Sequence, residues 1–166
     1  MINIKRDIFM NKIHHYPIVL QWTGNTGSGT SSYRSYERSY EIKIANKSIL
    51  LGSSDPTFRG DSSRHNPEEL FVASISSCHM LWYLHLCADA GIVVTSYEDQ
   101  AIGTMKEQEN GSGQFEVVSL QISVSIQEEK MRAQAKALHQ KANEMCFIAN
   151  SCNFPITHQV KIMVET

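Results

Sequence analysis

The segment "HNPEELFVASISSCHMLWYLHLCADAG", residues 65–91, decides how the chain folds. Asn66 is a favoured N-cap, Pro67 suits the first helical position, and Glu68 and Glu69 complement the positive end of a helix dipole. Gly91 stands where a helix is usually ended by a residue in left-handed conformation. A long helix over about 67–90 is the expectation. Its apolar window, Leu70 to Val94, is long enough to raise the question of a membrane span, yet it contains Ser74, Ser76, Ser77, His79, His85, Asp89 and a glycine. That is too much polarity for a lipid-facing segment, so the window reads as the buried helix of a soluble protein with no membrane partner. In its middle sit a thiol and an imidazole, Cys78 and His79.

Outward from this helix, the flanking segments alternate. Residues 15–23, "HYPIVLQWT", read as a strand running into the turn "GNTGSGTSS". In "YRSYERSYEIKI", Tyr36, Arg38, Tyr40, Ile42 and Ile44 share one face at period two, which predicts a half-buried strand with Arg38 snorkelling from its end. "SILLG", residues 48–52, is a third short strand, followed by a loop that carries Arg59 and Arg64. Beyond the helix, "TSYEDQAIGTM" reads as one strand, and "EVVSLQISVSIQ" alternates Val118, Leu120, Ile122, Val124 and Ile126. A second helix is expected over roughly 128–145 from Met131, Ala135, Leu138, Ala142 and Met145. A last strand alternates Ile156, His158, Val160, Ile162 and Val164. Strands and helices are segregated, so the class is α+β with an antiparallel sheet. A single domain over 15–166 with an N-terminal extension over 1–14 is the expected organisation.

Composition narrows the function. The chain has 166 residues, 42% hydrophobic and 19% charged, enough for a packed core without metal or disulfide support. A net charge of −2 provides no basic footprint for nucleic acid. The first residues mix charges among apolar side chains and do not read as a signal peptide, so a reducing cytoplasm is the expected compartment. Cysteines at 78, 87, 146 and 152 form no CxxC pair. A zinc site on Cys78, His85, Cys87 and His65 would need helical spacings of three or four, which these residues do not have.

The run "NPEELFVASISSC" resembles the first helix of the OsmC/Ohr family, the osmotically inducible and organic-hydroperoxide-resistance proteins, in which an Asn-Pro-Glu run precedes a reactive cysteine. The family's second landmark is a Cys-Pro-Ile/Val-Ser segment after the second helix. Here "CFIANS" stands in that place, with Phe147 for the proline and Ala149 for the serine. The resemblance implies an intertwined homodimer and a cofactor-free thiol peroxidase for organic hydroperoxides. Cys78 would be oxidised to a sulfenic acid, Cys146 would condense with it, and an external dithiol would reduce the disulfide. A sulfenate left without a thiol partner goes on to the irreversible sulfinic form, which is why two cysteines are needed.

The resemblance also implies that Glu68 holds an arginine beside the thiol. The turn in which the Ohr branch carries that arginine reads "TGNTGSG" here, leaving Arg59 and Arg64 in the loop before the helix, and Arg38. Electrostatics favour Arg59. Cys78 lies about three turns into the helix, beyond the reach of its dipole, and Ser74, Leu81 and Trp82 bring no charge. Cys152 is the alternative resolving thiol, and Cys87 and His79 are expected to be packed in the core. A non-enzymatic, redox-sensitive carrier of a small apolar ligand is the alternative function on the same fold.

Overall fold

A computed structural model describes residues 12–165. Most of the expected extension over 1–14 therefore lies outside the described residues. The chain divides into two compact units, with the boundary between His65 and Asn66.

The first unit is built on an antiparallel three-stranded sheet in the order β1-β2-β3: β1 Val19–Trp22, β2 Tyr40–Lys43 and β3 Leu50–Gly52. The strand expected over 33–44 forms only at its C-terminal third. Before it, the Arg38 guanidinium donates to the carbonyls of Tyr36 at 2.6 Å and Tyr33 at 2.7 Å. It also stacks over both of their rings, at 4.2 and 4.3 Å from the centroids. With these two carbonyls tied to one side chain, the segment before β2 keeps only an isolated antiparallel bridge, Tyr36 to Asn25, and single backbone bonds to residues 23 and 24 in place of a continuous ladder. Several apolar side chains of this unit face solvent, among them Tyr16, Ile18, Val19 and Leu20.

The second unit opens with α1, Pro67–Asp89, as the sequence leads one to expect. Asn66 accepts from the Glu69 amide at 2.7 Å, and Glu69 accepts from the Asn66 amide at 3.1 Å, a reciprocal capping box. Ala90 caps the other end and Gly91 follows at φ 69°, a conformation costly for a residue with a Cβ. By length and composition alone α1 could cross a membrane, but its buried residues Ile75, His79, Tyr83 and Cys87 recur at every fourth position and face protein.

The stretch read as one strand divides at Gln100 into β4 Val94–Asp99 and β5 Ile102–Glu107, which pair antiparallel with successive parts of the long β6, Gly113–Ile126. After β6 come a short 3-10 turn, Glu129–Met131, and α2, Arg132–Met145, so the expected second helix starts later. The last strand, β7 Ile156–Val164, pairs parallel to β6. The sheet is therefore mixed rather than wholly antiparallel, because α2 serves as the crossover that parallel neighbours require. The inward residues of β6, Val118, Leu120, Ile122, Val124 and Ile126, are all at most 2% exposed and form the floor of the core.

Two packing details fix α1 over this floor. A Cβ on Gly103 would come within 2.5 Å of a Val72 methyl and 2.7 Å of the Phe115 ring, so glycine there lets β5 approach the helix. Phe71, Phe115 and Phe154 meet with centroids 5.2 to 6.0 Å apart and clamp the N-terminal half of α1 to β6 and the segment before β7.

Loss of the cap should be measurable. Asn66→Ala is expected to lower stability by about 1 kcal/mol, seen as a lower urea midpoint at unchanged slope. An unchanged midpoint would contradict the role given to the capping box.

Candidate active site: a thiol pair beside a buried histidine cluster

Cys78 lies at the middle of α1, half-buried, while Cys146 follows α2 directly and is fully buried. The two side chains are within hydrogen-bonding reach. Burial first, and then this hydrogen bond, push the Cys146 thiol well above its ordinary range. The proton therefore stays on Cys146, which leaves the Cys78 sulfur as the acceptor. The Ala149 amide also donates to the Cys146 sulfur at 3.4 Å and holds it at the start of the turn 149–151. Trp82 and Phe147 meet edge to face, centroids 5.7 Å apart, flanking the pair from the same two segments.

The other thiols are placed differently. Cys87 is 1% exposed, and burial raises its pKa. Cys152 donates to the Ile148 carbonyl at 3.2 Å, and burial raises its pKa too. Glu68 sits in the first turn of α1, three turns from Cys78, so the helix does not bring the two together. Arg59 belongs to the first unit, exposed, at φ 66° and capping the 3-10 turn Pro56–Phe58. Arg64 pairs with Asp61 at 3.3 Å, and Arg38 is held by its tyrosines. His85 pairs with Asp89 on an exposed face. Among the described residues, no three histidine, cysteine or acidic side chains are grouped to hold a metal ion. The outer face of the second sheet carries a shallow polar groove of about 310 Å³ bordered by Glu98, Gln100, Gln121, Gln159 and Lys161, with no thiol in it.

What sequence reading missed stands on the other side of the helix contact. His79 Nε2 and His139 Nδ1 are 3.0 Å apart, and the two residues are only 1% and 2% exposed. The His158 ring lies 4.7 Å from that of His79, and Tyr83 stacks on His139 at 3.8 Å. Tyr97 is next to Tyr83, and Asp99, which accepts from Ser76 at 2.5 Å, acts on both Tyr97 and His158. Desolvation, followed by the charge of His158, lowers the His79 pKa to about 4; desolvation, followed by His79 and His158, lowers that of His139 to about 3. All three imidazoles are thus neutral near pH 7. His158 was legible as an inward member of β7 and His79 as a packed residue. His139 was hidden because it occupies an apolar slot of α2 without being apolar.

This is an α+β protein whose second unit presents two thiols at one helix–helix contact. The family model described as OsmC-like protein matches residues 60–161, and the chain belongs to that family. Among solved structures it is similar to an OsmC-like protein of unknown function from Vibrio cholerae, with TM-score 0.81 and 26% identity over 90% of this chain and all of that one. It is also similar to an organic hydroperoxide resistance protein from Elizabethkingia anophelis: TM-score 0.65, 17% identity, 94% of this chain and 100% of that one. A third is a putative organic hydroperoxide resistance protein, also from Vibrio cholerae, with captopril bound in one of its active sites: TM-score 0.62, 20% identity, 95% and 96% coverage. No curated protein matches the chain.

The neutral histidines fix a pH dependence. Their folded pKa values are depressed, so the unfolded chain binds protons first, from about pH 6.5 downwards. Stability is complete above pH 6.5 and is lost as the pH falls toward 4, by roughly 1.4 kcal/mol per unit of depression. Urea unfolding at pH 7, 5.5 and 4.5 should show this loss, reduced in a His79→Gln/His139→Gln variant. Equal losses in the variant and the wild type would refute the assignment.

Proposed function

We propose that the protein is a thiol-dependent peroxidase for organic hydroperoxides, using Cys78 as the attacking thiol and Cys146 as the resolving one. The observation that carries this reading is the contact between the two sulfurs, from residues 68 positions apart in sequence. A disulfide needs its sulfurs to approach without rearrangement of the backbone, and the hydrogen bond between the two thiols supports such an approach. Resistance to organic hydroperoxides, named for several similar structures, supports this substrate class.

The chemistry runs in two steps. The Cys78 thiolate attacks the terminal peroxide oxygen; the O–O bond breaks, the alkoxide takes a proton from water and leaves as an alcohol, and Cys78, keeping the OH, becomes a sulfenic acid. Cys146 then gives up its proton as it attacks that sulfur. Water leaves, and the Cys78–Cys146 disulfide remains until a dithiol reduces it. Because burial holds the proton on Cys146, that residue waits, and Cys78 reacts first.

The thiolate needs a cation. Arg59, oriented by Glu68, is our choice, since arginine keeps its charge when desolvated. Three helical turns separate Glu68 from Cys78, which supports a homodimer with two sites, each drawing on both chains. The exposed apolar side chains Tyr16, Ile18, Val19 and Leu20 of the first unit support such an assembly.

Cys78→Ser is expected to abolish cumene hydroperoxide consumption with dithiothreitol as reductant. Cys146→Ser should retain one fast oxidation and then lose activity to overoxidation. Full activity of Cys78→Ser would refute the reading. Arg59→Ala should slow both iodoacetamide labelling of Cys78 at pH ~7 and the peroxide step. Labelling and peroxide rates equal to those of the wild type would exclude Arg59.

A further inference from the structure

The fully buried stripe of α2 consists of Ala135, His139, Ala142 and Cys146, at steps of four, three and four. Three of its members are small, and small residues tolerate sliding and rotation of one helix on another. His139 is the only large side chain in it. It reaches the matching stripe of α1, Ile75, His79, Tyr83 and Cys87, through the hydrogen bond to His79 and the stack on Tyr83. The thiol contact belongs to the same joint: Cys78 adjoins His79 on α1, and Cys146 lies two turns beyond His139, about 10.5 Å along the axis.

The arrangement is costly to the fold. His79 Nδ1, His139 Nε2, His158 Nε2, the Tyr97 hydroxyl and Asp99 Oδ1 find no hydrogen-bond partner among the described residues. Each such group costs about 1–3 kcal/mol, and an apolar core of the same shape would be as stable or more so. Where a buried polar pair persists at such a cost, its best-attested use is to fix the register of two helices, because a hydrogen bond has direction and apolar contact does not.

We propose that His79 and His139 are positioning residues for the thiol pair, their hydrogen bond setting the tilt and register of α2 on α1 at which the Cys146 sulfur meets that of Cys78. This rests on the paired-thiol reading above and adds a second, non-cysteine half to its site. The histidines touch neither the peroxide nor the sulfurs; they act through the placement of Cys146. The pair is neutral in this role, and the groups facing it are His158 from β7, Tyr83 from α1 with Cys87 next to it, and Tyr97 and Asp99 from β4.

The test is the equilibrium between the Cys78–Cys146 disulfide and dithiothreitol at pH 7.5, followed by thiol trapping and mass spectrometry, with thermal unfolding measured on the same reduced proteins. His79→Leu and His139→Leu fill the space without the hydrogen bond. They are expected to keep a melting temperature at or above that of the wild type while the disulfide-forming equilibrium constant falls at least tenfold, about 30 mV for a two-electron couple. His139→Gln, able to bond His79 but not to take up a proton, should return it to within threefold of the wild type. If the leucine variants do not fold, His139→Asn, too short to reach His79, takes their place with the same expected loss. A wild-type equilibrium constant in the leucine or asparagine variant, or no recovery with glutamine, overturns the proposal. No peroxide enters this measurement. A chain that follows the expected pattern but consumes no hydroperoxide would contradict the peroxidase reading alone.

Discussion

The contact between α1 and α2 carries most of what is distinctive in the second unit. It is made by stripes of small and polar side chains rather than by interleaved leucines. One line of α1, Cys78 and Trp82, meets Cys146 and Phe147 at the end of α2. The adjacent line, His79 and Tyr83, meets His139 two turns earlier. The continuous apolar face lies below, on β6, and supplies the hydrophobic driving force. Burial and specificity are thus divided: the sheet stabilises the unit, and the helix joint decides which side chains meet.

That division explains why the thiols differ although both are cysteines in a helical core. Cys146 lies inside the joint and is kept protonated by burial and by the hydrogen bond it gives. Cys78 lies at its half-buried edge, within reach of solvent. Cys87 is buried on the stripe of α1 that carries His79 and Tyr83 and is hydrogen-bonded to Tyr83, and Cys152 donates to a local carbonyl, so among the described residues neither is held against a second thiol as Cys146 is against Cys78.

The boundaries of α1 were legible because local chemistry dictates them: Asn66 and Pro67 at one end and Gly91 at the other hold whatever the tertiary context. The alternation of β6 and β7 was equally plain, since one face of each must be buried. The parallel pairing of β7 with β6 was not, because periodicity says which face is buried and nothing about strand direction. The strand expected over 33–44 failed where Arg38 bound two carbonyls, a side-chain effect that no propensity contains. Of the site, Cys78 and Cys146 were found through resemblance of their surroundings. His139 was passed over because a histidine in an apolar slot breaks the pattern used to find the helix. Its partnership with His79, 60 residues away, exists only in three dimensions.

The central claim is that Cys78 and Cys146 form one redox unit, and its most direct measurement is peptide mapping of the reduced protein after one equivalent of cumene hydroperoxide, without reductant. The account predicts one dominant disulfide, between Cys78 and Cys146, with Cys87 and Cys152 left as free thiols. A dominant link involving Cys87 or Cys152, or a protein that leaves the peroxide unreduced with all four thiols intact, would contradict it.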